Sequence, residues 1–220
     1  SQLDALAIEN KIMMLLKDLE KDTTFGAGYK GYYPFSASPT MNSLIEIGPE
    51  GLPFLEEALE KSTDTEYRRA VLFVIAHIDS PQAEEMLLQS LEDENLRGLS
   101  LYLLGNYFYR SPTASVDTAI RDKEKVLKSI TPYLTDRSDY VFSFGDTQET
   151  VQIQELALAS YVRIGNVITL DEGICRWIGL SFPEFTEEQR EELLAFIEEG
   201  PQEMPFAWEA CPLFYIEVPF

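Results

Sequence analysis

The sequence predicts an all-α chain: an α-α superhelix of about four stacked helix pairs, spanning residues 40–200 of a single 220-residue domain. Three observations predict it. The first is one register written three times. Arg68 leads Val71, Val74, Ile75, Ala76 and Ile78, Arg97 leads Ser100, Leu103, Leu104, Gly105 and Tyr107, and Gln154 leads Ala157, Ser160, Tyr161, Val162 and Ile164. The second is an interleaved pattern with spacings of four, three and one: Gly51, Leu55, Ala58, Leu59, then Ala83, Leu87, Ser90, Leu91, then Val126, Ile130, Tyr133, Leu134. Gln189, Leu193, Phe196 and Ile197 echo it more weakly. These spacings put the apolar positions on one face of a 3.6-residue helix. The third is punctuation. Pro49, Pro81 after Ser80, Asp122 and Thr186 stand where helices start, because proline lacks the N–H that is orphaned there and Ser, Thr or Asp can cap it. The chain thus alternates an A helix, a turn, a B helix and another turn. No such unit buries its apolar face without a neighbour.

Taken in order, residues 1–39 are a cap helix followed by an aromatic loop. Leu3, Leu6, Ile12, Leu15, Leu16 and Leu19 make 2–21 one amphipathic helix over the end of the stack. The segment 22–39 is rich in Gly, Ser, Pro and aromatic residues and has no helical period, and a loop that long is either functional or pinned by its own side chains. Its Tyr29, Tyr32 and Tyr33 bring contact area at low entropy cost. A second irregular patch covers 107–122. A third, 137–150, carries Tyr140, Phe142 and Phe144 in an alternation that reads as a short strand or an aromatic loop. Insertions in such stacks emerge on one face, often the binding face. Tyr29, Tyr32, Tyr33, Tyr140, Phe142 and Phe144 are therefore the expected contact surface for a partner, with carboxylates of the B-helix side steering it. From 184 to 220 ten residues are acidic and one basic, and the tail 201–220 is too short and Pro-rich for another helix pair, so it reads as a non-helical C-terminal cap or as an apolar patch for a partner.

The run 66–107, EYRRAVLFVIAHIDSPQAEEMLLQSLEDENLRGLSLYLLGNY, resembles two successive HEAT repeats of the bacterial, phycobilisome-lyase-like type. Tyr67-Arg68 and Leu96-Arg97 match that family's V-R start, and Ile75-Ala76-His77-Ile78-Asp79-Ser80-Pro81 and Leu104-Gly105-Asn106-Tyr107 match its L-G-x-I-G-D-P ending. Residues 43–60 resemble the turn and A helix of the same unit, and 121–165 follow it more loosely. The resemblance implies a helical solenoid and a scaffold role, since these repeats serve many unrelated functions.

The charge narrows the partners. Thirty-eight acidic residues against 17 Lys and Arg give −21, a surface that repels phosphate and anionic lipid and steers a basic protein. Nucleic acid is therefore not expected. No apolar run approaches the roughly 20 residues of a membrane span. The chain opens at Ser1, which a removed signal peptide or a trimmed start would both explain, so the cytoplasm is favoured with export left open. Cys175 and Cys211 can pair in an oxidising compartment or stay buried thiols. The single histidine, His77, sits in a helix-ending turn where the helix dipole favours it, with no second histidine for a metal site. No phosphate loop, dinucleotide fingerprint or nucleophile elbow is present, and no cofactor is implied. The reading is a non-catalytic protein-binding module for a basic partner, of the immunity-protein kind. Two alternatives stand beside it. One is a lyase-type enzyme like the HEAT proteins that act on bilin chromophores, marked by a pocket carboxylate of raised pKa. The other is a structural or exported module assembling through its apolar tail.

Overall fold

The helix starts expected at Ser80, Asp122 and Thr186 each carry a side-chain cap, whereas Pro49 falls in a 3₁₀ turn and the helix after it begins at Leu52 without one. The computed structural model describes residues 2–23, 37–106, 121–144, 147–165 and 185–199. Helix α1 (Gln2–Leu19) leads to α2 (Pro39–Ile47), where Ser38 Oγ accepts the Met41 N–H at 3.2 Å. Gly48, at φ 73°, then closes α2 in a backbone conformation that suits glycine, and a short 3₁₀ turn (Gly48–Gly51) leads into α3 (Leu52–Lys61). Asp64 caps α4 (Thr65–Ile75), Ser80 caps α5 (Pro81–Gln89) and Asp122 caps α7 (Lys123–Ile130). Between α5 and α7 lies α6 (Arg97–Asn106). At α9 (Glu187–Glu199) the Gln189 N–H donates to Thr186 Oγ1 at 3.2 Å and the Thr186 N–H donates back to Gln189 Oε1 at 2.8 Å, a reciprocal capping box.

The described chain is predominantly helical, with one departure. Asp139–Phe144 (β1) and Thr147–Gln152 (β2) form an antiparallel hairpin, with Tyr140 opposite Val151 and Phe142 opposite Glu149. This decides the segment 137–150, read from sequence as strand or loop, in favour of strand. The hairpin runs directly into α8 (Ile153–Gly165).

The helices lie in two rows. α2, α4, α6 and α8 stack in one, α1, α3 and α5 in the other, and sequence neighbours pack across. Within the first row α4, α6 and α8 are the hydrophobic interior. Ala70 to Ala76 of α4 and Leu99 to Leu104 of α6 are buried at every position, which is how a helix apolar all round must sit. Each of Val71, Leu72, Phe73 and Ile75 contributes on the order of 1.5–3 kcal/mol by leaving water. Helix α1 buries Ile12, Leu16 and Leu19 but leaves Leu6, Met13 and Met14 exposed.

The registered polar residues at the head of each B helix do the same work three times. Arg68 Nε donates to the Leu59 carbonyl at 2.9 Å, Arg97 Nε to Leu91 at 2.8 Å, and Gln154 Nε2 to Leu134 at 2.7 Å. Leu59, Leu91 and Leu134 are the last positions of the three spaced patterns, so one kind of bond recurs from α4 to the end of α3, from α6 to the turn after α5 and from α8 to the turn after α7. The guanidiniums reach onward as well. Arg68 pairs with Asp93 at 2.7 Å, and Arg97 lies over the Tyr133 ring at 5.0 Å.

Candidate binding site between the hairpin and the helical rows

Tyr140 and Phe142 alternate with outward-facing residues, so the pleat sends both rings to one side of the hairpin. That side faces α6. The Tyr140 ring lies against Gly98, where a Cβ would overlap it, and Phe142 meets Tyr102 edge-on at 6.0 Å. The two rings also meet each other edge-on at 4.9 Å. Tyr140 and Phe142 are 4% and 3% exposed, so they are core, and the expectation that they form contact surface is corrected. The reason is the pleat. The face of the hairpin that carries the rings is the face that needs covering. The side chain of Phe144 lies outside the described residues, as do Tyr29, Tyr32 and Tyr33, the patch 107–120, Cys175, Cys211 and the tail 201–220.

What the rings leave open is a pocket of about 300 Å³ at the base of the hairpin. Tyr140 and Ile153 stand on one side of it, Asn95 and Arg97 on another, with Arg69 from α4 and the opening residues of β1 completing it. Asn95 is its hinge. Its carbonyl accepts the Tyr140 phenol at 2.8 Å and Arg69 Nε at 3.1 Å. Arg69 also donates to Glu66 at 3.2 Å and lies 5.0 Å above the Tyr140 ring. Burial pushes the Tyr140 phenol up to about 12, partly offset by the Arg69 charge, so at neutral pH it is a protonated donor. Arg97 donates to the Leu91 carbonyl besides stacking on Tyr133. Both guanidiniums are thus held by the protein itself. Glu94 and Asp139, also lining the pocket, are exposed and have no partner among the described residues.

The carboxylates lie elsewhere than expected. Of the described residues in α2, α4, α6 and α8, only Glu46, Glu66 and Glu155 are acidic; Glu155 is buried and Glu66 pairs with Arg69, so this row offers little steering charge. The acidic faces belong to the A helices: Glu56, Glu57 and Glu60 on α3, and six glutamates on α9. Two buried glutamates have a structural task. Glu84 accepts the N–H groups of Arg121 at 2.8 Å and Asp122 at 3.2 Å. Glu155 accepts the N–H of Phe185 at 3.1 Å and Nε of Arg190 at 2.9 Å. Each pins backbone just ahead of a helix, Glu84 before α7 and Glu155 before α9.

His77 Nδ1 lies 2.6 Å from the Phe73 carbonyl, an acceptor, and so carries the proton. Asp93 is held low, with the hydrogen bond and charge of Arg68 and the Asn95 N–H outweighing the effect of burial, and Glu187 is held low by its hydrogen bond to Arg137. Both shifts run opposite to the raised carboxyl of the lyase-type alternative. Among the described residues no three His, Cys, Asp or Glu side chains are placed to hold a metal, and no helix is long and apolar enough to cross a membrane.

Sequence reasoning missed Arg69, Glu94, Asn95 and Asp139. The one signal was the doubled Arg68-Arg69, of which the repeat register uses only the first. Comparison with known proteins gives no family model, curated protein or solved structure that matches this chain.

Proposed function

We propose that this chain is a non-catalytic protein-binding module, a HEAT-like solenoid of about four helix pairs, that holds a basic protein partner. One observation carries the reading. The described arginines are all engaged by the protein itself, while most carboxylates of α3 and α9 face solvent. All six arginines with described side chains have internal partners: Arg68, Arg69 and Arg97 as above, Arg121 on Asp79, Arg137 on Glu187, and Arg190 on Glu155 and Glu187. The unspent charge of a −21 chain is therefore negative and displayed on the A helices. Such a field raises the encounter rate with a basic protein and disfavours nucleic acid. The three repeated Arg or Gln to carbonyl bonds support the repeat reading, because unrelated helical hairpins have no reason to share one bond at one register. Masking a basic effector, as an immunity protein does, suits a small acidic scaffold of this kind.

Affinity capture from the native host at low and high salt, with bound proteins identified by mass, tests this. A stoichiometric basic protein that elutes with salt is expected, with at least tenfold weaker retention once Glu56, Glu60, Glu188 and Glu191 are changed to Gln. Retention indifferent to both salt and these substitutions would overturn the reading.

A further inference from the structure

Among the described residues the hairpin has two open edges, and they are not equivalent. The Ile153 N–H donates to the Ser138 carbonyl at 2.9 Å, which makes 138 and 153 a hydrogen-bonded pair. Such pairs alternate along an antiparallel ladder, so Tyr140 and Phe142 bond inward to Val151 and Glu149. The peptide groups of Asp139, Val141 and Ser143 therefore point outward from β1, and those of Gln148, Thr150 and Gln152 from β2. Among the described residues no backbone partner meets either set. An unpaired edge of this kind is a template for another strand. Val141, on the face away from the two rings, is 38% exposed.

What distinguishes β1 is its neighbour. The pocket is lined by Ser138 to Val141 and by Glu94, Asn95 and Arg97, and no β2 residue lines it. Its guanidiniums already hold a carbonyl and an aromatic ring each, so an acidic ligand would have to displace those bonds. Its uncommitted groups are the carboxylates Glu94 and Asp139 and the main-chain edge. We infer that β1 and the adjoining pocket take an extended segment of a basic partner by strand addition. Main-chain bonds run to Asp139, Val141 and Ser143, and a Lys or Arg side chain lies between Glu94 and Asp139. Main-chain pairing supplies affinity, and the pocket reads the side chain. This rests on the basic-partner reading and adds where the partner binds and in what conformation.

The probe is a capped synthetic peptide alternating lysine with valine and threonine, compared with the same peptide N-methylated along its pairing edge. Binding is followed by calorimetry and by amide exchange. Val141→Pro removes an outward N–H and leaves the β1–β2 ladder intact, since proline is tolerated where the N–H faces away from the sheet. Thr150→Pro does the same on β2 and is the control. Expected are protection of the Asp139, Val141 and Ser143 amides, about tenfold weaker binding for Val141→Pro and for the methylated peptide, and binding within about twofold of wild type for Thr150→Pro. The double variant Glu94→Gln, Asp139→Asn flattens the salt dependence. If binding survives both Val141→Pro and N-methylation, the edge inference is overturned and the acidic-surface reading stands. If neither peptide binds at low salt, both are overturned.

Discussion

Gly98 decides where the hairpin sits. It occupies the first turn of α6, and its missing side chain is the space into which the Tyr140 ring fits. A methyl there meets ring atoms, which cannot swing aside as a flexible chain end would, so the ring has to lift and the Tyr140 to Asn95 bond has to lengthen. Gly98→Ala is expected to cost about 1–3 kcal/mol despite the better helix propensity of alanine, with urea unfolding as the measurement and a changed near-ultraviolet tyrosine dichroism as its signature. An unchanged unfolding midpoint would mean that the ring does not rest there. At this scale the sequence was half legible. The cluster Tyr140, Phe142 and Phe144 marked the segment as important, but an alternating apolar pattern is equally that of a surface to be covered by a partner and of one covered by α6. Only Gly98, 42 residues away in the chain, tells the two apart.

Among elements, the buried glutamates tie distant stretches of chain to the helices. α9 is joined to α8 by Glu155, which is 4% exposed and meets both the guanidinium of Arg190 and the N–H of Phe185. A charge so placed is costly once its counter-ion is removed. Arg190→Met is expected to destabilise the protein by about 3 kcal/mol, measured by denaturant unfolding, whereas Arg190→Met combined with Glu155→Met recovers much of the loss. Equal losses in the single and double variants would show that packing of α9, rather than the ion pair, is what matters. The helix starts at Ser80 and Asp122 were legible because their signal is local, a capping side chain followed by apolar spacing, whereas the equally local cap at Asp64 is absent from the expected starts. Glu84 and Glu155 were not legible, because their partners are backbone N–H groups 30 or more residues away, and backbone groups leave no trace in residue type. The strand β2 was equally silent. Thr-Gln-Glu-Thr-Val-Gln offers Val151 alone to the core.

Across the whole molecule the acidity carries a mechanical cost. A chain at −21 repels itself in the compact state more than when expanded, and salt relieves that repulsion as the Debye length falls from roughly 30 Å at 0.01 M to about 8 Å at physiological strength. The melting temperature is therefore expected to rise by a few degrees over that range, recorded by calorimetry. A falling value would point instead to dominance by the screened surface pairs, such as Arg121 with Asp79. Composition made this property legible in full, while the distribution of the charge was not. Which helices show their carboxylates depends on which row is buried, and α4, α6 and α8 form the buried row.

The bond from the head of each B helix to the last carbonyl of its A pattern spans very different stretches of chain. The separations are nine residues for Arg68 and Leu59, six for Arg97 and Leu91, and 20 for Gln154 and Leu134. The entropic penalty for closing a loop grows only logarithmically, so lengthening it from six to 20 residues costs about 1 kcal/mol. The junction works as a clasp, indifferent to how much thread is looped through it, and the hairpin is what this protein has threaded through the third. Corners of this type can host new surface without rebuilding the core. That makes the interval between Leu134 and Gln154 a natural graft point for a foreign peptide, one whose insertion leaves the helices on either side in place.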